Sequence, residues 1–145
     1  MNGFAPFRLP LILVVDDETM IAMMLEDMLC DLGCAVLGPV GSVAPALALI
    51  HKNAGCLNGA FLDVNLRGEM IYPVAAELLE RKIPFVFVTG FPPKSLEPKF
   101  QEISVLRKPV QPMMIETVQE RFRAHSLQHS RGPESRSDGC ITRGS

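Results

Sequence analysis

A chain of 145 residues with 48% hydrophobic and 21% charged side chains has the composition of one globular domain, too apolar for a disordered protein and too short for two domains of ordinary size. A formal net charge of -2, with no basic helix and no basic patch interleaved with aromatics, argues against direct nucleic-acid binding. Cys30, Cys34, Cys56 and Cys140 lack Cys-x-x-Cys spacing and nearby histidines at ligand spacing, which argues against zinc, and no segment has the form of a signal peptide or a membrane span. Cytoplasmic residence with reduced thiols is the expectation.

Residues 1 to 8 read as a loose lead-in, and Leu9 to Val15 as a first strand ending in Asp16-Asp17. From Glu18 the apolar period becomes helical, with Ile21, Leu25, Met28 and Leu32 on one face and Gly33 suited to the carboxyl-terminal cap. Met20, Met23, Met24 and Met28 read as core side chains, with Met23 left at the surface. Cys34 to Val40 is a second apolar run. Ser42 is placed to cap a helix with Val43, Leu47 and Ile50 on one face, closed by Asn53 and Gly55.

Ala60-Phe61-Leu62 then forms an apolar run that reads as a strand buried on both faces, and a lone carboxylate, Asp63, stands where it stops. Residues 65 to 70 read as a loop, and 71 to 82 as a helix with Pro73 in its first turn. Phe85-Val86-Phe87-Val88 is a fourth strand, ending in Thr89. Between Gly90 and Ile103, prolines at 92, 93 and 98 leave room only for a short or irregular fourth helix. Ile103 to Leu106 is a fifth strand, followed by Lys108-Pro109, and a last helix buries Ile115, Val118 and Phe122. Beyond residue 124 the chain turns polar, so the domain is expected over 9 to 124 with a disordered tail over 125 to 145. His51, His125 and His129 have no partners at useful spacing.

Five strands alternating with helices imply an α/β fold: one doubly wound five-stranded parallel sheet with helices on both faces. In such sheets ligands gather at the carboxyl edge of the strands. Asp16, Asp17, Asp63, Thr89 and Lys108 would all meet there. Three carboxylates packed together raise one another's pKa unless a cation sits among them, and an all-oxygen cluster suits magnesium. Glu18, by contrast, reads as an acid favouring a helix amino terminus through the dipole. A carboxylate with a metal, a lysine and a hydroxyl beside it can attack a phosphoryl group and become an acyl phosphate.

Asp16-Asp17 after strand one, Asp63 after strand three, Thr89 after strand four and Lys108-Pro109 after strand five resemble the receiver domain of two-component response regulators, a flavodoxin-like fold, over roughly residues 10 to 124. The resemblance implies that Asp63 is the phosphoacceptor and that Asp16, Asp17, Asp63 and the backbone carbonyl of Asn65 hold Mg2+. It implies further that Thr89 binds a phosphoryl oxygen and Lys108 pairs with the phosphate. A histidine kinase or histidine phosphotransfer protein is the implied partner, and the domain is a signalling module with at most self-catalysed phosphotransfer and autodephosphorylation. With no second domain after residue 125, output would come from protein contacts or phosphorelay. Pro84-Phe85-Val86-Phe87-Val88-Thr89-Gly90 is similar to the Pro-Phe-x-Phe-Ala-Thr-Gly motif of the stand-alone FATGUY regulators tied to general stress signalling, with Val88 in place of the alanine. Many receivers carry an aromatic three residues before the lysine, where this chain has Val105. The segment from 90 to 102, with few local contacts expected, is then the element that would move on phosphorylation.

Three rivals share parts of this pattern. An aspartate-nucleophile phosphatase of the haloacid dehalogenase type needs a second aspartate two residues after the nucleophile, where this chain has Asn65. A flavodoxin-like cofactor binder needs a phosphate-accepting turn after strand one, where Asp-Asp-Glu would repel phosphate. A pseudo-receiver that works without phosphorylation is disfavoured by the full set of site residues.

Overall fold

A computed structural model describes residues 9–90 and 96–129. The first strand, β1 (Leu11–Val15), has every residue buried. Its alternation feeds two different cores, as the two-residue period of a strand requires. Leu11, Leu13 and Val15 face one apolar cluster together with Ala60 and Leu62, and Ile12 and Val14 face a second together with Phe61. The central strand, β3 (Leu57–Asp63), is therefore buried on both sides, as its unbroken apolar run implies.

Helix α1 (Thr19–Asp31) follows β1, and α2 (Val43–Asn53) follows β2 (Ala35–Val40). Helix α3 (Tyr72–Glu80) precedes the fourth sheet strand, here β6 (Phe85–Thr89), and the last sheet strand, β7 (Val105–Arg107), leads to α4 (Pro112–His129). The parallel sheet runs β2-β1-β3-β6-β7. Strand β1 is paired on one side with β2 and on the other with β3, so the chain reverses direction across the sheet between β1 and β3. That reversal opens a crevice at their carboxyl ends. The edge position of β2 tolerates Pro39.

Several local expectations shift. The buried face of α1 is centred on Ala22, Leu25 and Leu29, one position round from the face expected, with Ile21, Met24, Met28 and Leu32 half-buried beside it. Met20, in the first turn of α1, is exposed along with Met23. Gly33 closes α1 with a φ of +85°. Ser42 is the residue before α2, but its side chain makes no capping bond; the Val43 amide donates instead to Glu69 Oε1 at 3.2 Å. Residues 65 to 70, expected as a loop, form a tight hairpin of β4 (Asn65–Leu66) and β5 (Glu69–Met70). Its two-residue turn has φ of 57° at Arg67 and 93° at Gly68, the combination that matches strand twist.

Residues 91–95 of the proline-rich segment lie outside the described residues. Its second half is a single 3-10 turn, Pro98–Phe100, in line with a short, irregular fourth helix. It is not loosely packed. Phe100 is fully buried, stacked on Tyr72 at 5.4 Å and edge-on to Phe87 at 6.0 Å.

Helix α4 buries Ile115, Val118 and Phe122 but runs five residues past the boundary expected at 124. Contacts with the body of the domain support the extension: Asn58 Nδ2 donates to Ser126 Oγ at 3.0 Å, and Asn58 Oδ1 accepts the Leu11 amide at 2.9 Å. The expectation of a disordered tail is thereby corrected for residues 125–129 and otherwise falls outside the described residues. Two histidines also have neighbours, His125 Nε2 at 3.1 Å from the Lys82 carbonyl and His51 Nε2 at 3.4 Å from Glu77 Oε2. Cys30 and Cys34 are free thiols, and Cys56 is half-exposed in the turn before β3.

Candidate functional site

Strands β1 and β3 are neighbours in register, Val15 beside Leu62, so the acids that follow them meet at the carboxyl edge. Asp16, Asp17 and Asp63 each bring a carboxylate oxygen within 4.8 Å of the others. Asp16 is 4% exposed and Asp63 6%. Burial, and then the charge of Asp16, push the Asp63 carboxyl up to about 7 despite the opposing pull of Lys108. Burial likewise raises Asp16, partly offset by its hydrogen bond from the Glu18 amide and by Lys108. These carboxylates resist simultaneous ionisation, which is the electrostatic signature of a site built for a cation.

Lys108 reaches the cluster from the far end of β7. Its Nζ lies 2.6 Å from Glu18 Oε1, 3.2 Å from Asp16 Oδ2 and 3.4 Å from Asp63 Oδ2. Burial works against its charge, but the hydrogen bond to Glu18 and the carboxylates of Asp16 and Asp63 prevail and raise it to about 12. The Lys108 amide donates to the Thr89 carbonyl at 2.9 Å, which ties the ends of β6 and β7 together. Thr89 itself is 6% exposed and follows Val88, the register partner of Asp63.

The β4–β5 hairpin covers the remaining side. Arg67 Nε lies 3.1 Å from Asp17 Oδ2. Asn65 uses its side-chain oxygen to accept the Gly68 amide at 2.6 Å, so any contribution to a metal comes from its backbone carbonyl. Residue 65, two positions after Asp63, is this asparagine, which cannot serve as the acid and base that a phosphatase of the dehalogenase type requires there.

The donor set fits a hard divalent ion. Asp16 Oδ2 is a buried oxygen without a hydrogen-bond partner among the described residues; the ammonium 3.2 Å away forms an ion pair but not an aligned hydrogen bond. A carboxylate oxygen held out of water in this way, beside two others, suits octahedral oxygen coordination of the kind Mg2+ adopts with a few carboxylates and several waters. Every residue expected at the site is brought to this edge. Two that sequence reasoning did not place here are Glu18 and Arg67, whose partners lie 90 and 50 positions away in the chain; the run of three acids at 16 to 18 was the only signal for the first.

Fold and site together define a receiver-type acidic pocket on a flavodoxin-like sheet. No protein-family model matches the sequence, and no curated protein does either. Solved structures do. The chain is similar to SdrG from Sphingomonas melonis Fr1, with 42% identity over 79% of this chain and 97% of that one and a TM-score of 0.69. It is similar to the BeF3-activated conformation of SdrG from Pseudomonas melonis Fr1, with 43% identity, coverage of 78% and 94%, and a TM-score of 0.63. A CheY-like response regulator receiver domain from Methylobacillus flagellatus shares the fold at 24% identity, with coverage of 79% and 99% and a TM-score of 0.68. The chain belongs to the response regulator receiver family.

Proposed function

We propose that this chain is a stand-alone response regulator in which Asp63 accepts a phosphoryl group from a phosphorylated histidine of a partner kinase or phosphotransfer protein, in a magnesium-dependent reaction. The observation that carries the reading is the isolation of one nucleophile among complementary groups: Asp63 ends the central strand with Asp16 and Asp17 within 4.8 Å and the Lys108 ammonium at 3.4 Å. An Asp63 carboxylate oxygen forms the new P–O bond as the donor's P–N bond breaks, and the departing imidazole takes up a proton from solvent. Lys108 pairs with the phosphoryl oxygens, and the Thr89 hydroxyl binds one of them. Asp16, Asp17, Asp63 and the Asn65 carbonyl would hold Mg2+, which when bound neutralises negative charge on the transferring group.

In this reading the protein is a phosphoacceptor rather than an enzyme with turnover, and any hydrolysis of its acyl phosphate is its own. Output passes through protein contacts or onward phosphate transfer in the cytoplasm; no helix among the described residues is long and apolar enough to cross a membrane. The motif at residues 84 to 90 supports membership of the FATGUY subgroup and, with it, a place in stress signalling.

The test is to incubate the protein with acetyl phosphate with and without Mg2+ and to follow base-labile phosphate. Labelling that needs both Mg2+ and Asp63 supports the reading. Mg2+ binding without any labelling would favour a pseudo-receiver instead.

A further inference from the structure

We propose that Glu18 is a positioning residue that competes with Asp63 for the Lys108 ammonium until a phosphoryl oxygen draws it off, so that it restrains phosphorylation of the site; the inference rests on the phosphoacceptor reading above. Three carboxylates surround Lys108 Nζ: the shortest contact, 2.6 Å, goes to Glu18, and the longest, a hydrogen bond of 3.4 Å, goes to Asp63. Glu18 lies outside the cluster of acids that could share a cation. Helix capping does not account for its side chain either, because Glu18 precedes α1 without making a side-chain capping bond. Its amide is fixed on Asp16 Oδ1 at 2.8 Å, which anchors the backbone while the side chain spans to a lysine 90 residues away.

The charges argue for competition. A charge-assisted hydrogen bond of this length is strong in geometry, yet the Glu18 side chain is 58% exposed, and an ion pair open to solvent is separated at modest cost. Before transfer, the single charge of Glu18 keeps the lysine. After transfer, a phosphoryl group bearing close to two negative charges outbids it. The lysine is needed during transfer, when charge builds on the phosphoryl oxygens, so the time it spends on Glu18 slows the reaction.

The experiment compares Glu18→Gln with wild type in the full chain, each also in a Lys108→Ala background, by the initial rate of Mg2+-dependent labelling with acetyl phosphate followed for hours. Glu18→Gln is expected to raise the rate about two- to fivefold, the range available from releasing one exposed ion pair, and to leave it unchanged when Lys108 is absent. In 15N-lysine NMR spectra without donor, the Lys108 ammonium signal should shift and broaden in Glu18→Gln. An unchanged or lower rate overturns the proposal. So does an equal rise in the Lys108→Ala background, which would mean that Glu18 acts by repelling the anionic donor. A wild type that takes no label, with the ammonium signal still responding to Glu18→Gln, would identify the phosphoacceptor reading as the step that failed and would take this role with it.

Discussion

Asp16 and Asp63 end neighbouring parallel strands, and both are more than nine-tenths buried with their carboxylates in one cluster. Each therefore carries a charge that its neighbour and its surroundings oppose. Stability without metal should follow from this. The folded state holds a proton on Asp63 up to a pH of about 7, against an ordinary value of 3.8, so it binds that proton more tightly than the unfolded chain does. The associated stability is fully present below about pH 4 and is lost as pH rises through 7. Asp16, raised in the same direction, adds to the trend. Asp63→Asn should flatten the profile and stabilise the metal-free protein by about 1–3 kcal/mol at pH 8. Urea melts in chelator at pH 5 and pH 8 check this; a variant no more stable than wild type at the higher pH would contradict it.

Asp17 tests the metal reading separately from the nucleophile. Its carboxylate belongs to the acidic cluster and is paired with Arg67, a side chain 81% exposed, so the pair adds little to stability. Asp17→Ala should lower Mg2+ affinity at least about tenfold while leaving the metal-free melting temperature unchanged or higher. Isothermal titration with Mg2+ and a thermal melt in chelator measure both. An unchanged affinity would remove Asp17 from the metal site.

Much of this site was legible because each polar group follows an apolar run, and buried strands can carry charge only at their ends. Asp63 after Ala60-Phe61-Leu62 and Lys108 after the last strand follow this rule, and one parallel sheet is enough to bring them together. The pairs Glu18 with Lys108 and Arg67 with Asp17 were not legible, since each depends on how two loops from distant parts of the chain are aimed. The hairpin at 65–70 was missed for a different reason. Its turn places Arg67, a residue without special preference for positive φ, in the left-handed region, and only Gly68 signalled a turn. The end of α4 was misplaced because the polar sequence after 124 hides contacts of single side chains, such as Ser126 with Asn58.

Gly59 provides a packing test away from the chemistry. A Cβ at this position would collide with the Phe122 ring, which is held edge-on against Phe61 at 5.6 Å. Gly59→Ala should cost about 1–3 kcal/mol without loss of Asp63 labelling at a temperature where the variant is folded. A melting temperature equal to wild type would mean that the ring gives way freely.

Gln119 is 2% exposed on α4, and neither its Nε2 nor its Oε1 has a hydrogen-bond partner among the described residues. A buried amide without partners costs more than it contributes, and methionine has similar length and no such need. Gln119→Met should therefore stabilise the domain by about 1–2 kcal/mol. Destabilisation by this substitution in a denaturant melt would show that the amide is satisfied in solution.

The readout of phosphorylation can be narrowed by what Phe100 touches. A moving segment from 90 to 102 is the natural expectation where Val105 replaces the usual aromatic, but its second half is pinned: Phe100 is fully buried between Tyr72 and Phe87, its amide donates to the Glu97 carbonyl at 2.9 Å, and the Ile103 amide donates to the Phe100 carbonyl at 3.0 Å. Displacing a buried phenylalanine loses several kcal/mol of packing, more than a ligand with modest preference for one state can supply. Motion on phosphorylation should therefore spare Phe100 and Ile103 and be felt at Thr89 and Gly90. Adding beryllofluoride and Mg2+ should change hydrogen exchange at Thr89 and Gly90 and leave the amides of Phe100 and Ile103 equally protected. Phe100→Ala, which removes the pin at a cost of about 3–5 kcal/mol, should extend the change to Ile103. Loss of protection at Phe100 in the wild-type protein would show that the aromatic stack is itself the element that switches.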